Sequence, residues 1–193
     1  MDKKEALKQI EDGIFSLEDA DEKLKADKEV VLAIVKQFGY APHPLYALKH
    51  ADDKLKADKE VVLAAIKQDA RALQYADKKL KADKDVVLTA IKQSGVSPAL
   101  KYADEKLKAD KEVVLAAVKQ NASTLQYADD SLKKDKEVVL TAIKQLGKVK
   151  TYYYDSPFAH ADNSLKKDKQ IVLEAIKQYG GALEFADDGF KKD

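Results

Sequence analysis

The sequence predicts an all-α fold, a right-handed or superhelical α-solenoid of about seven 25-residue two-helix repeats, with about 14 short helices in total. Three observations predict it. The pattern A-D-x-x-L-K-x-D-K-x-V/I-V-L-x-A-x-K-Q recurs at Ala20, Ala51, Ala76, Ala103, Ala128 and Ala161, and a further copy opens at Ala186. The spacings are 31, 25, 27, 25, 33 and 25 residues, so the smallest unit is 25. Apolar residues inside each unit follow helical periods, and a self-similar period of this size is the mark of a stacked-repeat architecture.

The units run in order as a partial copy over 1–15, full copies over about 16–37, 48–68, 73–93, 100–120, 125–145 and 158–178, and a truncated copy over 183–193, all within one repeat domain. In the copy at 125–145, Leu125, Ala128 and Leu132 fall at i, i+3 and i+7, which predicts a first helix with one apolar stripe. Asp129 and Lys133 stand four apart on its outer side, the spacing of a weak ion pair. Asp135 then reads as the N-cap of a second helix, with Glu137 in the first turn and Lys144 in the last to match the helix dipole. That helix carries Val138, Val139, Leu140, Ala142 and Ile143, an apolar face broad enough to be buried against neighbouring units. Alanine recurs at the Ala142 position as Ala65, Ala90, Ala117 and Ala175, and Ile34 replaces it in the first full copy. A hairpin of this size cannot stand alone, because ordering costs roughly 1.5 kcal/mol per residue. Stacking must supply the stability.

The stretches "LQYADKKLKADKDVVLTAIKQ" and "LKYADEKLKADKEVVLAAVKQ" resemble the helical repeats known as domain of unknown function 4116. The resemblance extends over nearly the whole chain. It implies repeated helices and no agreed activity, and it carries no catalytic residues to transfer. The two long inserts depart from the short spacing of such repeats.

Variation is concentrated in the connections. Four residues follow Gln68 and Gln120 ("DARA", "NAST") and six follow Gln93, but ten follow Gln37 and twelve follow Gln145. These long inserts, 38–47 and 146–157, hold three of the four prolines and five of the nine tyrosines. Gly39, Gly95 and Gly147 suit helix C-termini, and Ser97-Pro98 and Ser156-Pro157 read as N-cap followed by first helical residue. Insertions in a repeat array gather on one side, often the binding side. Tyrosine combines large contact area with a polar tip, which suits it to interfaces. The partner-binding candidates are therefore Tyr152, Tyr153, Tyr154, Tyr40, Tyr46 and His43, with packing of these rings under the loops as the competing reading. Phe158 replaces the leucine that opens a unit and is expected in the core.

His50 and His160 occupy the slot filled elsewhere by Tyr75, Tyr102, Tyr127 and Phe185, so an aromatic position made more polar explains them better than a metal does. The D-K-E runs lack the glycine and the twelfth-position acid of a calcium loop. No metal, cofactor or catalytic residue is expected. Lys+Arg 35 against Asp+Glu 34 leaves little net charge, and Arg71 is the single arginine, which counts against nucleic-acid recognition. With no cysteine and no apolar run of bilayer length, the expectation is a soluble cytoplasmic chain without a membrane partner, export to a host cell being left open. The reading that results is a non-enzymatic scaffold that binds a protein partner through its aromatic inter-repeat loops, as an inhibitor or an adaptor. The alternatives are a nucleic-acid-binding helical repeat and a structural spacer or cap. It is expected as a monomer, or weakly self-associated through the open terminal repeat.

Overall fold

A computed structural model describes residues 1–37, 44–93, 98–146 and 156–191. The described residues are helical or irregular, with no β-strand among them, and no helix among them is long and apolar enough to cross a membrane. They group into two compact units, Met1–Tyr102 and Ala103–Asp193.

Unit 1 contains the long helices α1 (Lys3–Glu11), α2 (Lys28–Lys36), α3 (Pro44–His50), α4 (Lys59–Gln68) and α5 (Lys84–Gln93). Helices α1, α2, α4 and α5 are of the second type and pack in sequence order, each against the next. The first-type elements, α3 and the 3₁₀ segments Ala70–Tyr75 and Ala99–Tyr102, form a second row beside them. Unit 2 repeats this with α6 (Lys111–Gln120), α7 (Lys136–Leu146) and α8 (Lys169–Gln178), and with 3₁₀ segments Ala122–Tyr127, Pro157–His160 and Gly180–Phe185.

The second helix forms as its sequence predicts. Asp135 accepts from the backbone N–H groups of Glu137 and Val138, and Asp58 does the same for Glu60 and Val61, which satisfies donors that a helix start leaves open. The apolar face is fully buried: Val138, Val139, Ala142 and Ile143 in α7, and the same four positions in α4 and α6. Alanine at the third of these positions lets neighbouring helices approach, and Ile34 is accommodated without exposure in α2.

The first helix departs from expectation. In the copies after α3 it is broken into a 3₁₀ segment and a further single turn, α-helical at Lys78–Lys81, Glu105–Lys108 and Asp130–Lys133 and 3₁₀ at Leu165–Lys167, which is why the described residues contain more elements than the 14 expected. At the break Ala128 is extended (φ −68°, ψ 154°) and Ala76 is nearly identical (φ −64°, ψ 153°). The cause is the following aspartate. Asp129 turns its carboxylate to the N–H of Ser131 and caps a new turn, Asp130–Lys133. Its own N–H, released from the helix, bonds to the carbonyl of Lys108 one repeat earlier at 2.9 Å. Asp77 bonds likewise to Lys56, Asp162 to Lys133 and Asp187 to Lys166. The break converts an intrahelical donor into a link between repeats. It also removes the expected Asp129–Lys133 pair, since Lys133 instead meets Asp130 at 3.1 Å.

A second link joins the long helices. Within each unit, lysines that follow a capping aspartate reach the capping aspartate of the next repeat, and often the acid two residues on. Lys3 meets Asp27 and Glu29 (2.9 and 2.7 Å), Lys28 meets Asp58 and Glu60 (2.7 and 2.8 Å), and Lys59 meets Asp83 (2.6 Å). In unit 2 Lys111 meets Asp135 and Glu137 (2.7 and 2.9 Å), and Lys136 meets Asp168.

Helix α1 is built differently from its successors. Counted from its cap, Asp2, it has Glu5 and Gln9 where α4 has Val61 and Ala65, so only Ala6 and Ile10 are buried, facing α2. The remaining face of α1 is polar. The helix ends with Gly13 at φ +73°, where the N–H of Gly13 bonds to Ile10 and that of Ile14 to Gln9, both through backbone carbonyls. A side chain here is strained by its own Cβ, although the nearest atom, Gln37 Nε2, is 3.8 Å from where that Cβ would sit. Gly13→Ala is therefore expected to cost about 1 kcal/mol of unfolding free energy in a urea titration, without change in helical content beyond the first repeat.

Candidate connection-side site

Helix α3 begins inside the first long insert, so Tyr46 stands on a helix and not in a loop, with Pro44 at the first helical position, where its missing N–H costs nothing. The ring is half exposed (51%), and the Lys49 ammonium lies 5.7 Å from its centroid. Of the other partner-binding candidates, Tyr40, His43, Tyr152, Tyr153 and Tyr154 lie outside the described residues, as do Gly39, Gly95, Gly147 and Ser97. Phe158 is fully buried, as expected. Ser156 holds the N-cap position but makes no side-chain cap, and Pro98 precedes its 3₁₀ segment instead of opening it, its carbonyl accepting from Lys101.

The first-type row of unit 1 brings Tyr46 together with residues that the sequence did not single out as a site. Arg71, on the neighbouring 3₁₀ segment, is fixed by Asp69: its Nη2 lies 2.7 Å from one carboxylate oxygen and its Nε 3.0 Å from each. Asp69 in turn caps that segment through the N–H of Arg71. The carboxylate raises the guanidinium pKa above its ordinary value, and the phenols of Tyr102 and Tyr46 are close enough to add to the effect. Tyr102 comes from the third element of the row, with Lys101 5.8 Å from its ring centroid. Two tyrosines and the chain's single arginine thus come from three successive elements. The signal in the sequence was the isolation of Arg71. Its neighbours, more than twenty residues away on either side, were not readable there.

Beneath Tyr46 a cleft of about 210 Å³ is lined by Ser16, Leu17, Glu18, Tyr46, Ala47 and His50. His50 is mostly buried, its Nε2 has no hydrogen-bond partner, and the nearest acid, Glu18, is 3.9 Å away. His50 and His160 are half-buried like Tyr75, Tyr102, Tyr127 and Phe185 in the same slot. Among the described residues no group of three or more histidines, cysteines and acids could hold a metal ion.

One further aromatic is exposed on a short connection. Tyr179 follows α8 where Asp69 follows α4 and Asn121 follows α6. Asp69 and Asn121 cap the next segment, and Tyr179 does not. Its ring instead lies against Gly181, where a Cβ would come within 2.5 Å of it.

No curated protein and no solved structure matches this chain. A family model described as "Domain of unknown function (DUF4116)" matches residues 4–56, 43–81, 58–108, 83–127, 110–154 and 148–191, and successive matches overlap as the repeats do. The chain belongs to the DUF4116 family.

Proposed function

We propose that this protein is a non-enzymatic interaction scaffold, an inhibitor or adaptor, which binds a protein partner through the aromatic side of its repeat connections. The observation that carries the reading is the row of Tyr46, Arg71 and Tyr102 in unit 1. Tyrosine and arginine are the residues over-represented at the centres of protein interfaces. Here exposed Tyr46 and Arg71 and half-buried Tyr102 stand in one row of a chain whose other exposed positions are mostly lysine, aspartate and glutamate. Arg71 is held in place by Asp69 before any partner arrives, so little of its rotamer freedom remains to be lost on binding. The inserts add Tyr40, His43 and the triplet Tyr152, Tyr153 and Tyr154 as further contacts of the same kind. The near balance of charge disfavours a polyanionic partner, and the absence of cysteine suits a cytoplasmic setting.

The test is a comparative pull-down from native lysate, followed by titration of the recovered partner against purified variants. Tyr46→Ala combined with Arg71→Ala is expected to weaken binding by more than about tenfold while the circular dichroism spectrum is unchanged. Replacement of both long connections by the chain's own "NAST" is expected to weaken it further. A partner held equally by all three proteins would refute the reading, and one lost steeply with added salt would point to nucleic acid instead.

A further inference from the structure

The outward face of the second helices is not polar throughout. In α2 the buried residues are Val30, Val31, Ile34 and Val35. Glu29, Leu32, Ala33 and Lys36 therefore lie together on the opposite face, at the i, i+3, i+4, i+7 spacing. Helix α4 presents Glu60, Leu63, Ala64 and Lys67 there, and α5 presents Asp85, Leu88, Thr89 and Lys92. The leucines are half-buried, and the acids and lysines at the two ends are exposed. Because α2 packs on α4 and α4 on α5, these residues form parallel rows: acids, then leucines each beside a short side chain, then lysines. In unit 2, α6 and α7 repeat the rows as Glu112 and Glu137, Leu115 and Leu140, and Lys119 and Lys144.

The two charged edges are not equivalent. Glu29 is met by Lys3, Glu60 by Lys28 and Glu137 by Lys111, so the acidic edge is answered from within each unit. The lysine edge is not. One turn back from Lys36, Lys67 and Lys92 the helix surface carries only leucine with alanine or threonine, and no described acid forms an ion pair with any of the three. A lysine in the last turn complements the helix dipole. That accounts for each charge singly and leaves a row of like charges beside a row of leucines.

The period of the rows describes what they would accept. Packed helices lie about 8–10 Å apart. A polyproline II strand turns once in three residues and rises about 9 Å in doing so, and every third side chain returns to the same side. Laid across the helices, such a strand sets one apolar residue against each leucine and one acid against each lysine. A single-stranded nucleic acid would want aromatic rings to stack on, and these rows offer leucine and alanine.

We infer that the outward face of the second-helix row in each unit is a docking surface for an extended segment of a partner protein, one in which an acid and an apolar residue each recur at every third position. The inference is independent of the function proposed for the connection row, which lies on the first-type elements.

The probe is a fluorescein-labelled peptide of four Glu-Pro-Leu triplets, titrated with the full-length protein and read by anisotropy. Saturable binding is expected, and a peptide of the same composition with its acids no longer three apart should bind at least about fivefold more weakly. Both units carry the face, so substitutions are made in pairs. Lys67→Glu with Lys144→Glu, exposed changes that leave the core alone, should weaken binding at least about fivefold, and a peptide with lysine in place of its second glutamate should recover that loss. Leu63→Ala with Leu140→Ala should weaken it about threefold or more with the circular dichroism spectrum unchanged. Tyr46→Ala with Arg71→Ala should leave the peptide affinity as it was, which separates this surface from the connection row. Absence of saturable binding would overturn the inference. So would equal binding of the two peptides, indifference to the paired lysine substitutions, or full competition by an oligothymidylate of the same length, which would make the lysine edge a site for polyanions.

Discussion

Phe158→Ala is expected to lower the unfolding free energy of unit 2 by about 3–5 kcal/mol. Phe158 is fully buried in the 3₁₀ segment Pro157–His160, which packs on α7 and on both neighbouring 3₁₀ segments, Ala122–Tyr127 and Gly180–Phe185. Truncation therefore opens a cavity with walls from three elements, each held by its own repeat and unable to collapse inward. Phe158→Leu is the informative companion. Leucine occupies this position as Leu48, Leu73, Leu100 and Leu125, each fully buried, so the repeat geometry already accepts it. Its cost is expected to stay below about 1.5 kcal/mol. Urea titrations followed by circular dichroism distinguish the two. Equal losses for alanine and leucine would mean that the ring itself is required at this repeat. Negligible loss for alanine would mean that the segment contributes little to the unit.

What the sequence made legible was whatever is encoded within one repeat. The Asp–Lys start of each second helix, the buried Val-Val-x-x-Ala-Ile face and the core role of Phe158 all follow from spacing over a few residues. The break in the first helix was not legible, because Leu125, Ala128 and Leu132 have helical spacing and nothing local announces that Asp129 will cap a new turn. The break is favoured by a carbonyl one repeat away, on Lys108, and a long-range bond of that kind leaves no periodic trace. The connection site was half legible for the same reason. Tyr46 could be chosen from the composition of its insert, but its helix begins earlier than the insert boundary suggested. Arg71 and Tyr102 join it only because stacking aligns the same position of successive repeats. The polar face of α1 was available in principle, as Glu5 and Gln9 in place of Val61 and Ala65, once the cap at Asp2 set the register.

The two inter-repeat links make acid sensitivity the other large expectation. Asp58, Asp83 and Asp168 are held below the ordinary carboxylate value of 3.8, first by the hydrogen bonds from Lys28, Lys59 and Lys136, and further by the N–H groups that they cap. At Asp27 and Asp135 partial burial is the largest single influence and pushes upward, but the lysine and the capped N–H groups together outweigh it. A carboxylate whose folded pKa lies below its unfolded one contributes stability in full above the unfolded value. That contribution is lost as pH falls from 3.8 through the lower folded value, because the unfolded chain takes up the proton first. Asp58→Asn should therefore destabilise the protein at neutral pH, where the charge is lost although asparagine still caps, and the deficit should shrink as pH falls from 3.8 and vanish only below the lower folded value. Asp58→Ala removes the cap as well, and is expected to cost about 1–2 kcal/mol at neutral pH with a deficit that persists in acid. The pair separates the two jobs of one carboxylate: capping its own helix and bridging to the previous one. If Asp58→Asn leaves the pH profile parallel to that of the parent protein, the bridge to Lys28 contributes nothing measurable, and the repeats are held by apolar contact and the Asp–Lys backbone bonds alone.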